Sequence, residues 1–130
     1  MHLALFEPDI PQNTGTILRL ASCLGIPVDI IEPCGFVWSD RHLRRSGMDY
    51  LKRVEFRRYS SWSSFEASQR GRLLLITTHG DCTYTKFRFS KDDTLLLGRE
   101  SAGVPDIIHR IADKRLRIPM KPGELSLIHI

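Results

Sequence analysis

Apolar residues fall along this chain in two recurring patterns. Short runs at His2 to Phe6, Val28 to Ile31, Arg72 to Thr77 (containing Leu73-Leu74-Leu75-Ile76), Leu95 to Leu97 and Leu116 to Pro119 stand between turn formers or charged residues. Runs of that length read as strands buried on both faces. Between them, Ile17, Leu20, Ala21 and Leu24 recur at helical spacing until Gly25, which suits a helix end. Ile107, Ile108, Ile111 and Ala112 mark a second helical face, with Pro105 expected in its first turn. The stretch Asp9 to Gly15 is rich in turn formers and reads as a loop. Strand, helix and strand in alternation predict βαβ units, and so an α/β fold with a parallel sheet flanked by helices.

Weaker signals fill the gaps. Asp40 can cap a short helix carrying Leu43, Arg44 and Arg45 and ending at Gly47; Val54-Glu55-Phe56 suggests a brief strand. Ser60 to Ser64 offers caps for a helix holding Phe65 and Ala67, and Tyr84, Phe87 and Phe89 lie in a segment that is either extended or loop. There are no internal repeats and no linker, so residues 1–130 read as one domain with one core.

Composition narrows the function classes. At 42% hydrophobic and 26% charged residues, with no run long enough for a membrane span and no signal-peptide pattern before Glu7-Pro8, a cytoplasmic address is expected. Cys23, Cys34 and Cys82 are widely spaced and odd in number, and the five histidines are scattered, so neither a disulfide framework nor a metal site is expected. The net charge of +4 is modest, but its distribution is not even. Between Arg41 and Arg58 seven basic residues face two acidic ones, a local excess of five, which leaves the remainder close to neutral. Such a segment is the electrostatic footprint of phosphate-backbone binding or, alternatively, a solvated helix face.

Two places carry candidate chemistry on local grounds. Gly98-Arg99-Glu100-Ser101-Ala102-Gly103 follows a strand, where α/β sheets place ligands; it is either a pocket rim or a turn whose glycines permit positive φ. Arg19, roughly opposite the first helical stripe, is either a solubilising arginine or one that reaches a reacting group. A dehydrogenase-like nucleotide site has little support, because no G-x-G-x-x-G follows the first strand.

Taken together, Glu7-Pro8, Pro11-Gln12-Asn13-Thr14-Gly15, Arg19, Ile31-Glu32-Pro33, Gly35-Phe36, Leu43 to Tyr50, Thr77-Thr78, Gly98-Arg99-Glu100, Gly103 and Ile118-Pro119-Met120 resemble the SPOUT methyltransferases. More closely, the chain is similar to the small tRNA (cytidine/uridine-2'-O)-methyltransferases of the TrmL type. The match runs in order from Leu3 to about Pro122. The resemblance implies a parallel sheet whose C-terminal part ties a trefoil knot, an S-adenosylmethionine site in that knot, a homodimer, and the anticodon stem-loop of tRNA as substrate. It places Ile76, Gly98, Gly103, Ile118, Met120 and Ser126 at the cofactor, and Asn13, Arg19 and Glu100 at the reacting ribose. It makes Arg41, Arg44, Arg45, Lys52 and Tyr50 contacts for RNA, where phosphates position and splayed bases are read. No metal is implied.

The sequence departs from the family pattern in two places. Thr16 stands where close relatives usually carry asparagine. After Gly123 the family continues with a Ser-Leu-Asn motif and a long helix, whereas here Ser126-Leu127 is followed by Ile128-His129-Ile130. The expectation is therefore a truncated SPOUT domain without its last helix, binding S-adenosylmethionine weakly; the alternative function is an RNA-binding module or fragment without catalysis.

Overall fold

The computed structural model describes residues 1–36 and 56–120. Seven strands form one parallel sheet: β1 (His2–Phe6), β2 (Val28–Ile31), β3 (Phe56–Tyr59), β4 (Leu73–Ile76), β5 (Cys82–Thr83), β6 (Thr94–Leu97) and β7 (Lys114–Arg117). Their order across the sheet is β3-β2-β1-β6-β4-β7-β5. Thus β6 slots between β1 and β4, and β7 between β4 and β5. Register carries Ala4 opposite both Asp29 and Leu96, and Leu96 opposite Leu75.

Among the described residues three helices connect the strands: α1 (Pro11–Leu24), α2 (Trp62–Ser68) and α3 (Asp106–Ile111). Because successive strand residues point to opposite faces, the core divides in two. Ala4, Phe6, Ile31, Leu75 and Leu96 pack with Phe65 of α2 and Ile108 of α3, while Leu5, Val28 and Ile30 pack with Leu18 and Ala21 of α1. A third cluster, Leu74, Ile76 and Leu116, is covered by Phe87 and Phe89 from the segment that the sequence left open between extended and loop. That segment begins as β5 and continues as a 3-10 turn, Tyr84–Lys86.

Three boundaries differ from the sequence reading. The helix expected from Thr16 begins at Pro11, because proline suits the first helical position, and it absorbs the turn formers Asn13, Thr14 and Gly15. Its sheet-facing side is Thr14, Gly15, Leu18 and Ala21, leaving Leu20 and Leu24 exposed at 54% and 62%. The helix does end at Gly25, whose φ of 67° lets the chain turn back while Ile26 N–H donates to Ala21 O. Strand β3 includes the Phe56 of the strand expected at Val54 to Phe56, whose first two residues lie outside the described residues, and β7 ends at Arg117 rather than running through Pro119. Pro105 is the N-cap of α3, not a residue of its first turn, and Ile107 and Ile111 on that helix are exposed. The caps expected in Ser60 to Ser64 are present: Ser61 Oγ accepts from Ser64 N–H at 3.2 Å. The helix expected from Asp40 to Gly47 lies outside the described residues.

An ion pair between a buried carboxylate and an exposed guanidinium fastens the amino ends of β4 and β6. The Asp93 carboxylate, 1% exposed, accepts from Arg72 Nε and Nη2 at 2.8 Å each and from Ser90 N–H at 2.7 Å. The Arg72 guanidinium, which also lies 4.8 Å over the Phe87 ring, holds this carboxyl below its ordinary 3.8. A carboxyl depressed by folding adds stability above its unfolded value, and that stability is lost as pH falls through the folded one. Asp93→Asn is expected to cost about 1–3 kcal/mol at pH 7. Urea midpoints at pH 7 and pH 3 check this, since the penalty should shrink at the lower pH.

Candidate active site

Strands β1 and β6 lie side by side, yet the chain leaves them in opposite directions: β1 leads through α1 to β2, and β6 leads through α3 to β7. Where connections diverge in this way a crevice opens beyond the carboxyl ends of the strands, and ligands of open α/β sheets sit there. The loop after β1 carries Glu7, Pro8, Asp9 and Ile10; the loop after β6 carries Gly98 to Val104.

These two loops are clasped together. Asp9 N–H donates to Glu100 Oε2 at 2.9 Å, and Glu100 N–H donates to Asp9 Oδ1 at 3.2 Å. Ser101 Oγ–H donates to Asp9 Oδ2, and Arg99 reaches Glu7 at 3.5 Å and Asp9 at 3.7 Å. Glu7 itself takes a φ of 42°, a conformation non-glycine residues seldom adopt, where the chain turns out of β1. The β2 loop closes on the same point: Gly35 N–H donates to Pro8 O at 2.9 Å, and a Cβ at Gly35 would collide with Asp9. Hydrogen bonding to Glu100, with Ser101 and Arg99 adding to it, pulls the Asp9 carboxyl below its ordinary value. Burial, with Asp9 beside it, pushes the Glu100 carboxyl up. Burial and the neighbouring carboxylates also push the Cys34 thiol up to about 11, so it stays protonated and unreactive at neutral pH.

The second part of the rim follows from strand register. Ile76 lies opposite Leu97 on one side and Leu116 on the other, so Ile76, Gly98 and Ile118 stand at adjacent strand ends. Thr77 N–H donates to Leu116 O at 2.9 Å, tying the β4 and β7 ends together. Gly98 and Gly103 face each other across a tight loop held by Arg99 N–H to Gly103 O at 3.1 Å and Gly103 N–H to Arg99 O at 2.8 Å. Gly103 has φ 65°; Gly98 is small for a different reason, since a Cβ there would lie 2.8 Å from Gly103 Cα. Beside this loop Phe6, Glu7, Arg99, Gly103 and Pro105 line a cavity of about 270 Å³. The set fits a nucleoside bearing a positive sulfonium. Ile118 and Met120 present exposed apolar surface, Glu7 and Asp9 supply negative charge, and Arg99 Nε is a buried donor with no hydrogen-bond partner among the described residues.

Asn13 lies in the first turn of α1, close in sequence to the clasp, whereas Arg19 is exposed six residues further on. At 100° per residue the two project about 120° apart around the helix, so α1 alone does not bring them together. Arg41, Arg44, Arg45, Tyr50, Lys52 and Ser126 lie outside the described residues. Among the described residues no group of three or more His, Cys, Asp or Glu could hold a metal ion, and no helix is long and apolar enough to cross a membrane. What sequence reasoning missed is Asp9 and Arg99. The only signal for Asp9 was a carboxylate in a proline-rich turn, and its partner is 91 residues away.

The profile of the SpoU rRNA Methylase family matches residues 1–127. The chain belongs to this family. Among SpoU relatives, a protein of Beijerinckia indica named tRNA (cytidine(34)-2'-O)-methyltransferase is 54% identical over 128 residues, covering 96% of this chain and 80% of that protein. The Escherichia coli K12 protein of the same name is 38% identical over 130 residues, covering 98% and 83%. A solved structure concerned with 2-OH methylation of C/U34 on tRNA superposes with a TM-score of 0.88 at 39% identity, over 98% of this chain and 86% of that one. An AdoMet-bound rRNA methyltransferase from Sinorhizobium meliloti gives 0.83 at 26% identity, over 98% and 51%. The parallel sheet read from the sequence is thus the sheet of SPOUT methyltransferases.

In this SpoU chain the larger cavity, about 590 Å³, lies at the opposite, amino end of the sheet among Met1, His2, Asp29, Gln69 and Lys91. Volume alone would choose it. None of the described residues implied by the resemblance lines it, and the strand connections open at the other end, so the smaller crevice is the candidate site. Gly98→Ala tests that placement. The added methyl must push the Gly103 backbone aside, so the variant is expected to lose about 1–3 kcal/mol of stability and to weaken S-adenosylmethionine binding, as read by calorimetric titration. Undiminished binding would move the cofactor away from this loop.

Proposed function

We propose that this SpoU-family chain transfers a methyl group from S-adenosylmethionine to the ribose 2'-oxygen of nucleotide 34 in tRNA. The observation that carries the reading is the likeness over nearly its whole described sheet to relatives named for that reaction. The carboxyl-end crevice between β1 and β6 supports it. When bound, S-adenosylmethionine supplies an electrophilic methyl group on a positively charged sulfur.

The work left to the protein is alignment, which can contribute about 7–11 kcal/mol to such a transfer. The strand ends at Ile76 and Ile118, with Met120, Ser126 and the Gly98–Gly103 loop, bind the cofactor. Asn13 and Glu100 orient the ribose. Arg19 holds the hydroxyl or its phosphate and stabilises the oxyanion as the proton leaves to another acceptor, since a guanidinium is a poor base. Arg41, Arg44, Arg45 and Lys52, with Tyr50, contact the anticodon stem-loop, in keeping with the basic excess of their segment.

Three finer features belong to the same reading. The enzyme acts in the cytoplasm. It works as a homodimer, for which the exposed Leu20 and Leu24 of α1 offer apolar surface. The C-terminal part is knotted, and the insertion of β6 and β7 between strands laid down earlier supports this.

The test is to incubate the chain with tRNA and S-adenosylmethionine and digest the product for mass spectrometry of nucleosides. A 2'-O-methylated nucleotide at position 34 is the expected result. Methylation at a base, or none anywhere, would sink the proposal.

A further inference from the structure

Three loops converge on one side chain that the family resemblance does not assign, Asp9. Its backbone N–H and its carboxylate take both halves of a reciprocal pair with Glu100, at 2.9 and 3.2 Å, across 91 residues of sequence. The hydroxyl of Ser101 donates to its other oxygen, on which Arg99 also bears at 3.7 Å. Gly35, from the β2 loop, packs so closely over it that any side chain there would displace it. A carboxylate accepts at both oxygens and donates at neither, so at this position it can gather an amide, a hydroxyl and a guanidinium at once.

We propose that Asp9 is a positioning residue for methyl transfer: it holds Glu100, and with it the β6–α3 loop, at the start of α1 in the geometry that the reaction needs. This rests on the proposed function, since it is that reading which puts Glu100 at the ribose. Exposed surface staples seldom contribute much, but this one is partly buried and double. The β1 and β6 loops belong to opposite sides of the switch point, and Asp9 and Arg99 supply the bonds that join them there.

The clasp also makes a prediction about protons. The charged and titratable groups around Glu100 are Asp9 and Glu7 from the β1 loop, Arg99 beside it, and Cys34 from the β2 loop. Asp9 stays ionised against Arg99 and Ser101 while Glu100, buried beside it, keeps its proton to higher pH than an ordinary glutamate. A carboxyl raised by folding stabilises the clasp below its unfolded value, and that contribution fades as pH rises through the folded value.

The experiment compares the chain with Asp9→Asn by two readouts. Carbon-13 titration of the Glu100 carboxyl needs no substrate; steady-state transfer from S-adenosylmethionine to an anticodon stem-loop RNA separates kcat from KM. Asp9→Asn removes the like charge, so the Glu100 midpoint should move down toward its ordinary 4.5. Misplacing a reacting group by about an ångström can cost about 10²-fold, and kcat should fall on that scale while KM for S-adenosylmethionine changes less than about twofold. An unmoved Glu100 midpoint, or an unchanged kcat, overturns the proposal. If the unaltered chain transfers no methyl group, the functional reading fails instead, and the carboxyl titration alone decides whether Asp9 holds Glu100. Should Asp9→Asn not fold, Ser101→Ala removes a single donor to Asp9 and keeps its charge, so kcat alone is read: a fall with KM for S-adenosylmethionine held supports the proposal, and an unchanged kcat overturns it.

Discussion

Replacing Arg19 by alanine is expected to lower methyl transfer to tRNA about 10²- to 10³-fold, the usual cost of deleting one donor aimed at a developing oxyanion. The fall should appear in the single-turnover rate and leave S-adenosylmethionine affinity intact, because Arg19 stands on α1 and not on the β4, β6 and β7 strand ends assigned to the cofactor. Arg19→Lys should recover only part of the loss, since an ammonium keeps the charge but not the planar fork. A rate within a few-fold of the parent would make Arg19 the surface arginine that the sequence equally allows.

The second large effect is on the fold. Leu96 is fully buried, sits opposite Ala4 on one side and Leu75 on the other, and belongs to the cluster that joins the sheet to Phe65 and Ile108. Leu96→Ala should therefore cost about 2–5 kcal/mol, set against the 5–15 kcal/mol typical of a whole domain. Ile107→Ala, at a position 65% exposed, should stay within about 0.5 kcal/mol. Urea midpoints of the two variants give the comparison. Equal losses would mean that the central strand is not what holds the domain together.

The sheet was legible because buried parallel strands leave an unmistakable trace: Leu73 to Ile76 and Val28 to Ile31 are buried at every position. Helix faces were harder. Leu20 and Leu24 have the right spacing and the wrong side, because Thr14 and Gly15 meet the sheet along with Leu18 and Ala21 and are invisible to a count of apolar side chains. At the site, Gly98, Gly103 and Glu100 could be picked out from one local stretch. Asp9 could not, since its meaning depends on a partner 91 residues distant and on the sheet order that brings them together. Strand order is not written in any local pattern, and β6 and β7 illustrate why: each pairs with neighbours laid down well before it.

That insertion has a consequence for the order in which the enzyme comes into being on the ribosome. As the first five strands emerge, β1 and β4 have no partner between them, and β4 and β5 are likewise apart. The two late strands must enter gaps whose walls come from distant sequence, a high-contact-order step that is intrinsically slow. Glu100, Gly98, Ile118 and the loop that meets Asp9 all arrive with those strands. The candidate crevice is therefore the last part of the domain to be completed, since the strands that carry Gly98, Glu100 and Ile118 to it come from the final third of the chain.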